Sequence, residues 1–177
     1  MFEIRRLSVY EPDEDENEEV KTEEYKNEEL GFSVNYQSNW DLEELSDSVK
    51  WTAPEMPESG TGEALEPDFV VIAQIAAGLT KTTESTQDER ATEIRDYVRI
   101  HYSNLLGIES EVGAVGPDQQ FAIVYKPTTG GEHYFIPRGA DLYEFSYYDV
   151  ADKERESEQD FAEMLSSFGF VAIGEST

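Results

Sequence analysis

Few residues of this chain have the types and spacing that could do chemistry. His133 lies on an extended stretch just after the loop Thr128-Thr129-Gly130-Gly131, and Glu144 lies on the next extended stretch, where a neighbouring strand would carry it across from the histidine. A histidine–glutamate pair does general acid–base work when both groups reach a substrate by hydrogen bonding. The pair has no company of the usual kind. No serine sits in a Gly-x-Ser-x-Gly elbow, Gly60-Thr61-Gly62 is only a flexible loop, and there is no cysteine. A small-molecule pocket or weak enzyme centred on His133 and Glu144 is therefore the alternative to a non-catalytic reading. His101 falls on the apolar arc of a long helix, where a buried histidine bonded to backbone is the ordinary expectation.

Asp13-x-Asp15-x-Asn17 with Val20 and Glu24 places oxygens at the spacing of a calcium loop, but Glu18 stands where the turn glycine belongs and Lys21 occupies the ninth position. An acidic, solvated tail explains these residues better, so no metal or other cofactor is assigned. Arg95 and Arg99 stand four apart at the border of the helix's apolar stripe in a chain short of cations. Pairing with the chain's own carboxylates is the expected use; contact with an acidic partner is the functional one. Tyr134, Tyr143, Tyr147 and Tyr148 are the kind of aromatic strand residues that more often pack a core or its rim; with Glu144 they would form an amphipathic recognition surface if one sheet face were open.

Those residues need elements to hold them. Period-2 alternation predicts strands at Gln119 to Lys126, Glu132 to Ile136 and Leu142 to Tyr148. The spacing of Phe161, Met164, Leu165 and Phe168 predicts a helix from Glu158 to Phe168, with Ser157 and Asp160 as a capping box and Gly169 as the stop. Upstream, Tyr25 to Gln37 reads as one strand, Val49 to Ala53 as a second, and the apolar run Phe69 to Ala76 as a central strand covered on both faces. Thr86 and Glu89 cap a helix running to Leu106, with Ala91, Ile94, Val98, His101 and Leu105 on one face, and Glu109 to Val115 is a weak strand. The order predicts an α+β domain: an antiparallel sheet of about six strands covered by two main helices. Residues 1–24 read as an acidic disordered segment, 25–171 as the domain and 172–177 as a tail.

A run of 177 residues with 38% hydrophobic side chains can bury one sizeable core, and the charge of −27, from 40 acidic against 13 basic residues, makes nucleic acid or an anionic membrane a poor partner. The carboxylates are spread along the whole chain, as a solvating coat for high salt would be. No apolar run approaches the roughly 18 residues that span a bilayer, and no signal peptide is evident, so the chain reads as cytoplasmic, or as an extracytoplasmic lipoprotein if a leader precedes Met1.

The run Glu29-Leu30-Gly31-Phe32-Ser33-Val34-Asn35-Tyr36-Gln37-Ser38-Asn39-Trp40 resembles the opening of PsbP-like domains, where a Gly-Phe-x-hydrophobic-x-Tyr strand leads through a short turn to a Trp. The ending, with a Tyr-rich strand, an acidic turn and a helix closing on Met164-Leu165-Ser166-Ser167-Phe168, is similar too. The resemblance implies the fold shared by photosystem extrinsic PsbP proteins, their prokaryotic lipoprotein relatives and the Ran-binding Mog proteins. It also implies an accessory or binding role without catalysis, directed at a protein partner. No family site residue matches a position here. A secretion-type chaperone is a third reading, suggested only by size and acidity.

The charge makes a direct prediction. Screening at molar salt shortens the Debye length to about 3 Å, so the melting temperature should climb between dilute buffer and molar potassium chloride; a flat profile would show that the coat is not tuned to salt.

Overall fold

A computed structural model of the chain describes residues 19–54, 67–128, 131–148 and 156–174. The elements in chain order are β1 (Thr22–Asn27), β2 (Phe32–Gln37), β3 (Asp41–Glu44), β4 (Ser48–Thr52), β5 (Phe69–Ile75), α1 (Gln87–His101), β6 (Ser110–Val115), β7 (Gln120–Tyr125), β8 (Glu132–Arg138), β9 (Asp141–Tyr148), α2 (Glu156–Ser167) and β10 (Gly169–Phe170). A 3-10 turn, Ser103–Leu105, follows α1. Seven strands form one sheet in the order β3-β4-β5-β9-β8-β7-β6, and β1-β2-β10 form a smaller one. Every pairing is antiparallel. The expected α+β architecture is therefore present, as helices and a second sheet packed on a large antiparallel sheet.

Alternation along the strands assigns the two faces. Val49, Trp51, Val70, Ile72, Val124, Tyr134, Ile136, Tyr143, Phe145 and Tyr147 point to one side, where they pack with Phe32 and Val34 of the small sheet and with Phe161, Met164 and Phe168 of α2. Ile123, Tyr125, Phe135 and Leu142 point to the other, under Ala91, Ile94 and Val98 of α1. The capping box holds α1 in place: Thr86 Oγ1 accepts from Glu89 N at 3.2 Å while Glu89 Oε2 accepts from Thr86 N at 2.9 Å. Pro137 sits in β8 beyond Phe135, the last residue there that pairs with β7, so its missing N–H breaks no ladder bond on that side.

Several boundaries differ from the sequence reading for definite reasons. Tyr25 to Gln37 is a hairpin, because Gly31 takes φ +78° and its N–H closes on Asn27 O at 2.8 Å. The hairpin draws Thr22–Glu24 out of the supposed tail and pairs them with Asn35, Tyr36 and Gln37. Residues 1–18 of that segment, and 55–66 of the long loop, lie outside the described residues. Beyond Val171 the chain remains attached, with Gly174 N donating to Glu28 O at 2.9 Å. Helix α2 begins at Glu156, so Ser157 lies within it and is not the cap. His101 ends α1 exposed, its ring 4.3 Å from that of Tyr97, because Leu105 of the following turn takes the buried place. Strand β5 is interior between β4 and β9, but only Val70 and Ile72 are fully buried; Phe69, Val71, Ala73 and Ile75, on the α1 side, are half-buried.

Arg138 joins the two sheets. From the end of β8 it donates to Gly31 O at 2.6 Å and to Val171 O at 2.8 Å, and its guanidinium lies 4.8 Å from the Phe170 ring. A Cβ at Gly31 would stand 2.5 Å from Arg138 Nη1. Gly31→Ala should thus combine an unfavourable φ, about 1–2 kcal/mol, with displacement of a charged donor, about 1.5–3 kcal/mol. We expect a total loss near 3 kcal/mol in urea unfolding, with Arg138→Lys losing less; a Gly31→Ala variant as stable as wild type would refute the clamp.

Candidate functional site

The register of β8 and β9 sets His133 opposite Ser146 and Phe135 opposite Glu144. Glu144, two residues from Ser146 on the same strand, therefore faces the same side as His133, as its diagonal neighbour. His133 Nδ1 lies 3.1 Å from Glu144 Oε1 and 3.1 Å from Ser146 Oγ. Ser146 Oγ donates to Glu144 Oε1 at 2.7 Å, and Tyr102, just past the end of α1, donates its hydroxyl to Glu144 Oε2 at 2.7 Å. The side chains of His133 and Glu144 are 5% and 14% exposed, which puts the cluster beneath the surface. Tyr148 stands edge-on to the His133 ring at 5.5 Å and stacks on Phe69 at 4.5 Å; Lys50 Nζ lies over Phe69.

The electrostatics follow from this geometry. Burial penalises the Glu144 carboxylate, but donors from His133, Tyr102 and Ser146 outweigh it and hold the group below the ordinary carboxylate range. Burial first, then the Glu144 charge, drive the hydroxyls of Tyr102 and Tyr148 upward. The arrangement does not form a serine–histidine–carboxylate relay. Such a relay needs the carboxylate on one ring nitrogen and the serine on the other. Here both meet Nδ1, and the serine proton points at the carboxylate, so the histidine does not activate Ser146. What the cluster does is satisfy three buried polar side chains and tie α1 to the sheet.

The other residues singled out in the sequence are scattered by the fold. Tyr134 and Tyr143 face α2 and the small sheet, 8% and 0% exposed, while Glu144 and Tyr148 face the α1 side. The four cannot make one recognition surface, because neighbouring residues of a strand point to opposite faces. Tyr143 is spent inside, its hydroxyl donating to Leu30 O. Arg95 donates from Nε to Ser110 Oγ at 2.8 Å, a hydroxyl and not the carboxylate expected of it; Arg99 pairs with Asp96 at 3.1 Å with 69% of its side chain exposed. Tyr102 and Ser146 escaped the sequence reading. The period-2 polar row Glu144, Ser146, Tyr148 in an otherwise apolar strand was the available signal for Ser146; nothing local marked Tyr102. Among the cavities lined by described residues, one of about 430 Å³ lies against α2 and one of about 440 Å³ beside the first turns of α1, and His133 and Glu144 line neither of these two.

Among the described residues no group of three or more His, Asp or Glu side chains is placed to hold a metal ion. Of the calcium-loop pattern, Asp13, Asp15 and Asn17 lie outside the described residues, and Glu24 is a strand residue opposite Asn35. No helix among the described residues is long and apolar enough to cross a membrane.

No protein-family model and no curated protein matches this sequence. Solved structures do. The cyanobacterial PsbP protein (CyanoP) of Synechocystis sp. PCC 6803 is similar over 85% of this chain and 93% of its own, at 15% identity and a TM-score of 0.50. The Ran-binding protein Mog1p of Saccharomyces cerevisiae is similar over 86% of this chain and 97% of its own, at 12% identity and a TM-score of 0.50. The fold is the PsbP-like fold that these two proteins share.

Because the folded state lowers the Glu144 pKa, the stabilisation it brings is present above the ordinary carboxylate range and is lost as pH falls through the folded value. Glu144→Gln should cost about 2 kcal/mol near neutrality, the scale of a buried charged hydrogen bond. The gap between variant and wild type should stay constant above about pH 5 and narrow below it. A gap that is the same at acid pH would deny the carboxylate this role.

Proposed function

We propose that this chain is a non-catalytic accessory or interaction module of a salt-adapted organism, working in the cytoplasm and binding a protein partner. The observation that carries the reading is the closure of the Glu144 network. Its carboxylate accepts from His133, Tyr102 and Ser146, so the best acid–base pair of the chain is committed to holding α1 on the sheet. The fold supports the same reading, since Mog1p, which shares it, is a Ran-binding protein.

The contact surface we assign is the solvent-facing end of α1. Ile100 is 71% exposed and Leu106 57% exposed, beside the exposed Arg99. Large apolar side chains left in water next to a cation, on a chain otherwise coated with carboxylates, fit the mixed apolar and arginine composition of interface cores. Tagged wild type should retain one partner from lysate of the source organism in molar salt. The Ile100→Asp, Leu106→Asp double variant should retain it about tenfold less, the loss expected for an interface hot spot, with an unchanged melting temperature. Equal retention by both forms, or turnover in a broad hydrolase screen, would overturn the reading.

A further inference from the structure

On the opposite side of the large sheet from α1, the cavity of about 430 Å³ is walled by Tyr134, Tyr147, Phe161 and Leu165 and rimmed by Lys126, Glu132 and Glu158. Its size falls in the range of about 300–1,000 Å³ typical of ligand sites. The wall is rigid: the Tyr147 and Phe161 rings stack at 4.8 Å and 15°, and Tyr134 is tilted against Phe161 at 6.0 Å. Among the described lining residues the cation is Lys126, and it is already matched, with Nζ 3.3 Å from Glu111 and 3.8 Å from Glu132. Glu132 also accepts from Tyr134 at 3.0 Å, and Glu158 adds a further exposed carboxylate.

This balance selects among occupants. An anion meets a surplus of carboxylates in a chain of charge −27. A purely apolar group would strip water from Glu132 and Glu158 and give nothing back. A cation on an alkyl stem meets both halves of the site, with aromatic and aliphatic walls for the stem and ring electrons and carboxylates for the head. We propose that this cavity receives an arginine or lysine side chain of the protein partner, the stem against Phe161 and Leu165 and the charged head between Glu132 and Glu158. The assignment rests on the partner-binding reading above and adds the chemistry of the partner, a basic segment.

The test uses blocked arginine (Nα-acetyl-arginine methylamide) and its citrulline counterpart, which keeps the shape and lacks the charge, titrated into the isotope-labelled full chain at one salt concentration. The arginine compound should shift the amides of Tyr134, Tyr147, Phe161 and Ala162 saturably, and the citrulline compound should bind about tenfold more weakly, as expected when a charged hydrogen-bonding group is removed. Glu158→Gln, an exposed rim change that should leave the melting temperature alone, should weaken arginine binding about threefold to tenfold. Equal binding of citrulline, or shifts scattered over the acidic surface without saturation, would overturn the assignment. A partner lost with the α1 double variant yet retained by Glu132→Gln, Glu158→Gln and unaffected by arginine would sink the cavity and leave the partner-binding reading intact. Saturable, citrulline-rejecting arginine binding with no partner recovered would instead remove the partner-binding reading.

Discussion

One guanidinium holds the two sheets of this molecule to each other. The turn between β1 and β2 and the segment after β10 meet where Val171 N donates to Gly31 O at 2.9 Å, and Arg138 adds a charged donor to the carbonyls of both residues. The Tyr143 hydroxyl donates to Leu30 O. Hydrogen bonds from a charged donor contribute about 1.5–3 kcal/mol, so these side chains of the large sheet add a directed link to the core that packs the small sheet against it. Phe32 lies against Phe168, ring centroids 6.0 Å apart, in the core that the two sheets share with α2. Gly31 is required twice over, for its φ and for the space its missing side chain leaves to Arg138. The Gly-Phe pair that makes the sequence similar to PsbP-like domains thus has a mechanical reason to be there. A further backbone contact holds the C-terminal end of α2. Gly116 N donates to Leu165 O at 3.1 Å, and a Cβ there would run into Phe168 O at 1.8 Å.

Strand β9 shows how one alternating pattern divides structure from polar chemistry. Tyr143, Phe145 and Tyr147 build the core with α2, while Glu144, Ser146 and Tyr148 face α1. The aromatic set is ordinary packing. The polar set is costly to bury and survives because His133 and Tyr102 complete its hydrogen bonds. Trp51, by contrast, has its Nε1 buried with no hydrogen-bond partner among the described residues, while its ring meets that of Tyr25 edge-on at 5.3 Å.

What the sequence disclosed depended on how local the cause was. Period-2 and period-3.6 patterns identified β7, β8, β9, both helices and the Thr86–Glu89 cap, since each is decided by neighbours in the chain. The hairpin at Gly31 was missed because an acidic stretch masks a turn set by the φ of Gly31 and its bond to Asn27 O, which Arg138, more than a hundred residues away, then ties to the large sheet. Strand β3, with Asp41, Glu43 and Glu44 all exposed, has almost no apolar signature and exists through pairing with β4. The proximity of His133 and Glu144 was legible from alternation. The convergence of Tyr102 and Ser146 on the same carboxylate was not, because it depends on where α1 ends and on strand register. The tyrosines and Glu144 of the conditional recognition surface are divided between the two sheet faces, a division missed because residue type was read without asking which face each position takes.

The scarcity of cations has a structural answer that bears on the salt dependence of the fold. With 40 acidic and 13 basic residues, most carboxylates have no cation to meet. Several meet tyrosine hydroxyls: Tyr25 donates to Glu44 at 2.6 Å, Tyr36 to Glu23 at 3.0 Å, Tyr134 to Glu132 at 3.0 Å and Tyr102 to Glu144 at 2.7 Å. Burial, and next Glu44, push the Tyr25 hydroxyl up to about 12, so it stays a donor near neutral pH. A neutral donor differs from a lysine in one decisive respect. An exposed ion pair is weakened by the same electrolyte that relieves repulsion among like charges, whereas an O–H···O⁻ bond is short-ranged and mostly unscreened. Added salt therefore removes the self-repulsion of the coat while leaving these bonds in place, so the tyrosine–carboxylate pairs suit a chain of this charge better than lysines at the same positions would.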